Sequence, residues 1–231
     1  MKKLVQLIRN NAGREPAKIR AEGEDSTLYL YDVIDPYWGT GAAEFNKALA
    51  SLNGKKVTLR VNSPGGDVFD GRAMAAAIAQ HGNVHAVIEG LAASAATYVT
   101  AACASVTIAA GSFYMIHEAW TMAYGNKGDL IQTAGLLGKI DDSIVADYAK
   151  KTGKSNDEII AWMLAETWFT AEEAVENGFV DSISEVAKVE NKWNLSAYNN
   201  APQVDDAGAD ALKWEATRQR NMNRLRLHEI G

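Results

Sequence analysis

The amino-acid sequence predicts an α/β fold with a mainly parallel β-sheet. Short β-rich segments alternate with helical segments through brief connections, as in 56–63, 69–82 and 84–90, and this alternation is typical of βαβ units. The β-rich segments are apolar on both faces, as strands buried inside a parallel sheet are. The chain has 231 residues, of which 47% are hydrophobic, so it can form one substantial core.

Two patterns predict the individual elements. Strands are rich in β-branched and aromatic residues, whereas helices repeat apolar residues at intervals of three and four, as at Phe45, Leu49 and Leu52. Ser155, with Glu158 three residues later, is typical of a helix start. The predicted strands are 27–34, 56–63, 84–90 and one or two within 105–117, and the predicted helices are 41–54, 69–82, the segment after Ser94, 129–150, a helix capped by Ser155, and a short helix that stops at Gly178 before a last strand.

The chain divides into three parts. Residues 1–24 are polar, and we expect a loosely ordered N-terminal segment there. Residues 25–186 contain all the alternating elements and form the predicted main domain. Residues 187–231 begin with a stretch rich in Asn, Ala, Asp and Pro, which predicts a linker, and continue into an Arg-rich C-terminal tail. The arginines of that tail are Arg218, Arg220, Arg224 and Arg226.

Composition and charge exclude several classes of protein. A formal net charge of −6 argues against a nucleic-acid partner. The single cysteine, Cys103, leaves no intramolecular disulfide and no cysteine-based metal cluster, and it fits a reducing cytoplasm. Residues 90–116 carry no charge, but Ala, Ser, Thr and Gly dominate there, which argues against a membrane span. We therefore expect a cytoplasmic protein with no cofactor, no metal, no membrane and no nucleic acid as partner.

Ser94, in the stretch GLAASAAT, is a candidate nucleophile. A serine hydroxyl attacks a substrate only when a base removes its proton, and the usual base is histidine. His117 is the best placed of the four histidines, because it ends a predicted strand and the carboxyl ends of parallel strands face the ligand crevice. From the residues alone, Ser94 also fits a packing role in a tight helix, and His117 a structural role.

The stretch NSPGGDV supplies candidate donors for an oxyanion. Acyl transfer needs N–H groups that bind the negative charge of the tetrahedral intermediate. Gly65 and Gly66 can adopt backbone angles closed to other residues and can let a substrate approach closely. The N–H of Ala95, at the start of the helix after Ser94, is a second candidate donor. The same stretch also fits an ordinary turn from a strand to a helix.

Three motifs occur in an order that resembles the Clp protease proteolytic subunit family and its phage relatives. The motifs are SPGG, then GLAASAA, then MIH, and the similarity continues through YAKKTG into WFTAEEAVENGFVDSI. The resemblance covers about residues 25–185. It implies a spiral of βαβ units, shared with the crotonase group, from which a long helix, the handle, protrudes at about 129–150.

The resemblance assigns roles to five residues. In the family, the serine of the second motif is the nucleophile and the histidine of the third is the base, here Ser94 and His117. The second glycine of SPGG and the residue after the serine give the oxyanion-hole amides, here Gly66 and Ala95. The third catalytic member is usually an Asp shortly before the ending, and Glu166 stands at that position.

A glutamate can orient the imidazolium as an aspartate does, although with a longer reach. Asp141, Asp142 and Asp181 remain alternatives to Glu166 as the third member. The chain lacks the G-x-S-x-G turn, which disfavours an α/β-hydrolase.

The resemblance also implies a function and partners. It implies a serine endopeptidase that acts on polypeptides and assembles into a homo-oligomeric ring, typically a heptamer, which can stack through the handle. The Glu in place of Asp and the sequence of the C-terminal tail resemble those of the phage head maturation proteases. The substrates would then be capsid or scaffold proteins in the host cytoplasm or the procapsid.

Three alternatives remain open. The chain would be a housekeeping subunit that works with a separate AAA+ ATPase unfoldase, since it contains no GxxxxGK[ST] site of its own. It would be a catalytically weak ring that serves capsid assembly as a scaffold. The same fold also hosts acyl-CoA chemistry, in which the Ser94 and His117 pair has no obvious task.

Overall fold

The computed structural model describes residues 3–11, 26–184 and 193–202, and its strands form one sheet. Five strands lie parallel in the order β1-β2-β3-β4-β7, and β5 pairs in parallel with the last residues of β3. Only β6 runs antiparallel, against β5. This arrangement confirms the predicted α/β class. The strands are β1 (Ser26–Leu30), β2 (Val57–Ser63), β3 (Val84–Ala93), β4 (Ser105–Ala109), β5 (Phe113–Ile116), β6 (Thr167–Thr170) and β7 (Ser182–Ser184).

The helices connect and cover these strands. They are α1 (Lys3–Asn11), α2 (Ala42–Ala50), α3 (Val68–His81), α4 (Ala95–Ala101), α5 (Lys127–Thr152), α6 (Asn156–Leu164) and α7 (Ala171–Glu176). The Asp67 carboxylate accepts hydrogen bonds from two N–H groups at the start of α3, and Gly82 ends that helix in the left-handed conformation. Ser155 and Glu158 form the predicted capping box of α6. In the described part of the chain, no helix combines the length and the hydropathy that a membrane crossing requires.

The core lies between the sheet and the helices packed on it. Phe45, at 0% exposure, and Leu49 fix α2 against the sheet through the predicted stripe. The handle α5 packs on the core through its C-terminal half, where Ile144, Val145 and Tyr148 are buried. Its N-terminal half exposes apolar side chains, namely Leu130, Ile131 and Leu136.

Two expectations about the chain ends were wrong. Residues 3–11 form the helix α1 rather than a loose segment, and Leu7 is buried. The predicted linker begins at 187, yet residues 193–201 pack on the main domain, with Trp193 and Tyr198 buried. The apolar side chains of residues 193–201 explain this packing. The average composition of the segment is polar, and it therefore did not indicate the two buried aromatic residues. The Arg-rich tail lies outside the described residues.

Candidate active site

Ser94 sits at the junction between β3 and α4 in an unusual backbone conformation. Its φ of 53° and ψ of −125° are costly for a residue with a Cβ atom, and such angles cluster at functional sites. The Ser94 N–H donates to the Met115 carbonyl oxygen at 2.9 Å, which ties the turn to β5. In the described residues, only Ser94 and Glu166 combine a side chain with a positive φ.

His117 follows directly after β5 and reaches Ser94. Its Nε2 lies 2.8 Å from the Ser94 Oγ, within hydrogen-bond distance. The parallel register pairs Ala93 with Met115, so the residues that follow the two strands emerge side by side. His117 is only 7% exposed, whereas Ser94 is partly exposed. The arrangement therefore joins a shielded imidazole to a hydroxyl that is partly exposed.

Glu166 is brought to His117 by a strand that the sequence analysis did not predict. The antiparallel register pairs Ile116 with Thr167, so the next pair in line is His117 and Glu166. Glu166 is 5% exposed, and its Oε1 accepts a hydrogen bond from the Asn200 N–H at 2.8 Å. A shielded carboxylate on the residue opposite His117 in the strand register suits an orienting role.

The other candidate acids have different partners. The Asp141 carboxylate accepts a hydrogen bond from the Ala119 N–H at 2.7 Å, and burial raises the pKa of Asp141. The Asp181 carboxylate contacts the Val106 N–H at 2.7 Å and the Lys151 Nζ at 3.0 Å, on the edge between β4 and β7. Asp142 is exposed on the handle. None of these three residues occupies the register position opposite His117.

The SPGG loop packs directly against Ser94. A Cβ atom added to Gly65 would lie 2.8 Å from both the Ser94 Cβ and the Ala95 nitrogen, so no larger residue fits there. The Ser63 hydroxyl supports the loop by accepting from the Gly65 N–H and donating to the Asp32 carbonyl oxygen. In the described part of the chain, the N–H groups of Gly66 and Ala95 donate to no protein acceptor. Both amides are therefore available to a ligand.

A pocket of about 280 Å³ opens over these groups. Ser94, His117, Gly66 and Ala95 line one side of it, and the remainder is largely apolar. The apolar lining includes Val68, Phe69, Met122, Leu136 and Ile140. An extended chain with an apolar side chain fits such a pocket, while the polar groups converge on one carbonyl.

The remaining histidines in the described residues have structural contacts. The His81 Nε2 lies 3.1 Å from the Leu52 carbonyl oxygen, and the His85 ring bridges Ser105 and Asn83. The described residues contain no group of three or more His, Cys, Asp or Glu that could hold a metal ion. His228 lies in the tail, outside the described residues.

The sequence analysis missed Tyr198 and Asn200, which lie beside the pair. The Tyr198 hydroxyl donates to the Pro64 carbonyl oxygen at 2.6 Å, and its ring lies 5.7 Å from the ring of His117. Asn200 contacts Glu166 and Ala165. The alternation of buried Trp193, Leu195 and Ala197 with exposed residues was the signal that could have found this segment.

Comparisons with known proteins support the resemblance to the Clp protease family. The family model described as Clp protease matches residues 41–187. The ATP-dependent Clp protease proteolytic subunit of Bacteroides fragilis is 29% identical over 173 residues, covering 69% of this chain and 79% of that protein. The subunit of Adiantum capillus-veneris is 33% identical over 134 residues, covering 56% of this chain and 67% of that protein. Subunit 1 of Prochlorococcus marinus is 28% identical over 141 residues, with coverage of 59% and 71%.

Proposed function

This chain belongs to the Clp protease family, and we propose that it hydrolyses peptide bonds as a serine endopeptidase through Ser94, His117 and Glu166. The observation that carries the proposal is the 2.8 Å distance between the Ser94 Oγ and the His117 Nε2 at the floor of an apolar pocket. A serine activated in this way attacks an acyl carbon. The family match supports the reaction class, and the geometry of the site supports the choice of residues.

The proposed mechanism follows from the positions of the groups. His117 accepts the Ser94 proton at Nε2 while Ser94 Oγ attacks the peptide carbonyl carbon, and the N–H groups of Gly66 and Ala95 hold the oxyanion. The Glu166 carboxylate stabilises the imidazolium and fixes its tautomer. His117 then gives the proton to the leaving amine, and water, activated by the same base, hydrolyses the acyl-enzyme.

Glu166 is proposed as the third member on the basis of the strand register. Its backbone stands next in line opposite His117, and its carboxylate is shielded and hydrogen-bonded. A glutamate has one more methylene than the aspartate usual in the family. The positive φ of Glu166 changes the direction in which its side chain leaves the backbone, which helps to accommodate the longer reach.

Variants test the catalytic proposal most simply. Ser94→Ala and His117→Ala should each lower turnover of an unstructured peptide by a factor on the order of 10⁴ or more. His85→Ala is the matched control for His117→Ala, since the His85 ring bonds to Ser105 and Asn83 and does not line the pocket. Normal cleavage by folded Ser94→Ala would overturn the assignment.

We further propose that the chain assembles into a ring, and that two rings can stack through the exposed half of α5. Leu130 and Ile131, which are 47% and 60% exposed, form an apolar face that the described residues do not cover. The proposed ring is a heptamer, alone or stacked in pairs. Light scattering on wild-type and Leu130→Asp, Ile131→Asp protein measures the mass, and an unchanged mass in the variant would refute this use of α5.

The proposed biological role is maturation of a phage head. The glutamate at position 166 and the sequence of the tail support membership of the phage head maturation proteases. The substrates would be capsid or scaffold proteins in the bacterial cytoplasm or procapsid. The tail would dock on those proteins or be cut away. Limited proteolysis of the Ser94→Ala protein, with and without assembled capsid protein, tests docking, and equal sensitivity of the tail in both samples would contradict it.

The second candidate role is a proteolytic subunit served by a separate AAA+ unfoldase. The names of the curated relatives, ATP-dependent Clp protease proteolytic subunits, favour it. Degradation of a folded substrate only when a cognate unfoldase and ATP are added would support this role. The scaffold alternative requires a folded ring without peptidase activity. Neither role changes the proposed chemistry, which needs no cofactor, membrane or nucleic acid.

A further inference from the structure

We propose that residues 193–201, named the strap here, complete the active site, with Tyr198 and Asn200 as positioning residues for Ser94 and Glu166. This inference rests on the peptidase function proposed above. The family match ends at residue 187, so the strap lies beyond the matched region. It adds a further layer of contacts to a site whose reacting groups all come from the matched domain.

The strap is fixed to the main domain by its own packing and hydrogen bonds. Trp193 is 7% exposed, and its Nε1 donates to the Asn62 Oδ1 at 3.1 Å. Asn194 and Asn11 exchange two hydrogen bonds, since the Asn194 N–H donates to the Asn11 Oδ1 at 2.9 Å and the Asn11 Nδ2 donates to the Asn194 carbonyl oxygen at 3.0 Å. Leu195 is buried in the same cluster. These contacts hold the following residues in one position.

Tyr198 lies behind the catalytic pair. Its side chain is buried, and its hydroxyl donates to the carbonyl oxygen of Pro64, the residue just before Gly65 in the SPGG loop. Its ring meets the rings of His117 and Trp168 edge-on, each at 5.7 Å. Burial, followed by the charge of Glu166, raises the pKa of Tyr198, while hydrogen bonding with the Ser94 side chain opposes the increase. The Tyr198 side chain thus contacts the loop and Ser94 through its hydroxyl and His117 through its ring.

Asn200 fixes the acid. Its main-chain N–H donates to the Glu166 Oε1 at 2.8 Å, and its Nδ2 donates to the Ala165 carbonyl oxygen at 2.7 Å. The first bond restricts the carboxylate, and the second holds the backbone that places Glu166 at its positive φ. A side chain one methylene longer than aspartate has one more rotatable bond, so a fixed hydrogen-bond donor restricts its orientation.

Neither Tyr198 nor Asn200 lines the pocket. Their contacts include the proposed catalytic residues Ser94, His117 and Glu166, whereas the apolar wall of the pocket is formed by other residues. We therefore expect the loss of these contacts to lower kcat and to leave KM unchanged. A purely structural segment would lower the apparent kcat only through the fraction of folded protein, also without a change in KM, so kcat is compared per folded molecule.

The first test removes the Tyr198 hydroxyl in the full-length chain. Tyr198→Phe keeps the ring and leaves the buried Pro64 carbonyl oxygen unpaired, and such a loss is expected to lower kcat about tenfold. The rate of Ser94 labelling by a fluorophosphonate should fall with kcat, since it reports the nucleophile directly. Tyr37→Phe is the matched control, because Tyr37 is 87% exposed and its loss should change neither rate.

The second test separates the two bonds of Asn200. Asn200→Ala removes the side-chain bond and keeps the N–H, whereas Asn200→Pro removes both. We expect a further loss of kcat in Asn200→Pro relative to Asn200→Ala, with KM the same in both. Circular dichroism and thermal unfolding establish which variants are folded under the assay conditions, and comparisons are made among those.

The outcomes distinguish this inference from the function on which it rests. Reduced kcat and labelling in Tyr198→Phe or Asn200→Pro, with unchanged KM and an inactive Ser94→Ala, would support the strap. Wild-type kcat in both variants with an inactive Ser94→Ala would overturn the strap and leave the peptidase intact. Full activity of Ser94→Ala would overturn the proposed catalytic residues and the strap together.

Discussion

Substitution of Gly65 by alanine tests how closely the SPGG loop approaches the nucleophile. Gly65 has a φ of +85°, and an added Cβ would lie 2.4 Å from the Ala93 carbonyl oxygen and 2.8 Å from the Ala95 nitrogen. Ordinary van der Waals contact begins at 3.4 Å, so the loop and the Ser94 turn must separate by about 1 Å. A displacement of about 1 Å between reacting groups can lower the rate about 100-fold.

The matched control is Gly54→Ala. Gly54 has nearly the same φ, +77°, but an added Cβ there meets nothing within 4 Å. Both variants therefore carry the backbone strain of alanine in a left-handed conformation, about 1–2 kcal/mol, and only one displaces the loop. Thermal unfolding measures the shared loss of stability, and peptide hydrolysis measures kcat/KM. If folded Gly65→Ala matches Gly54→Ala in kcat/KM, the proposed contact between the loop and the nucleophile does not govern catalysis.

Three further predictions address other parts of the molecule. Glu166→Gln should lower kcat by about 10²–10⁴ because the amide cannot stabilise the imidazolium, and wild-type peptide turnover in this variant would remove Glu166 from the mechanism. Burial would raise the pKa of Asp181, but the Val106 N–H and the Lys151 ammonium lower it below its ordinary value. The charged form therefore stabilises the folded protein above the pKa of Asp181 in the unfolded chain, and this stabilisation is lost as pH falls through its pKa in the folded protein. Urea unfolding should show Asp181→Asn less stable than wild type at pH 7, with the difference in unfolding free energy disappearing below about pH 4. A difference that persists at that low pH would contradict this linkage. Burial raises the pKa of the Cys103 thiol to about 12, so iodoacetamide should leave the folded protein unmodified and active, and rapid alkylation would show that Cys103 is accessible.

The parallel part of the fold was predictable because its signals are local. Alternating β-rich and helical segments predicted β2, α3 and β3, and the Ser155 capping box was confirmed. The end of α3 at Gly82 was also correct, since a left-handed C-terminal residue favours glycine. In each case a few neighbouring residues determine the conformation.

The strand β6 escaped prediction because its existence depends on a distant partner. Thr167–Thr170 is only four residues long and precedes a predicted helix, so its pattern gives no period to count. It forms because β5 offers an unpaired edge. The position of Glu166 in the motif nevertheless predicts it as the third member of the site. The geometric reason for that position is the pairing of β5 with β6.

The strap escaped prediction for a related reason. Asn, Ala and Pro around 193–202 are typical of a linker. The average composition of this stretch does not reveal that the apolar residues Trp193, Leu195 and Ala197 alternate with polar ones. The contacts of Tyr198 with Pro64 and of Asn200 with Glu166 join residues more than 30 positions apart. Long-range contacts of this kind are visible only in the folded chain.

The most direct test of the central claim is whether Ser94 is an activated nucleophile. Intact-mass spectrometry after treatment with a fluorophosphonate compares wild-type protein with Ser94→Ala. The proposed site predicts a single covalent adduct on the wild-type chain and none on the variant, because only a serine deprotonated by a neighbouring base reacts readily with the probe. A folded wild-type protein that takes up no probe, or a Ser94→Ala protein that takes up as much, would contradict the assignment of Ser94 and His117.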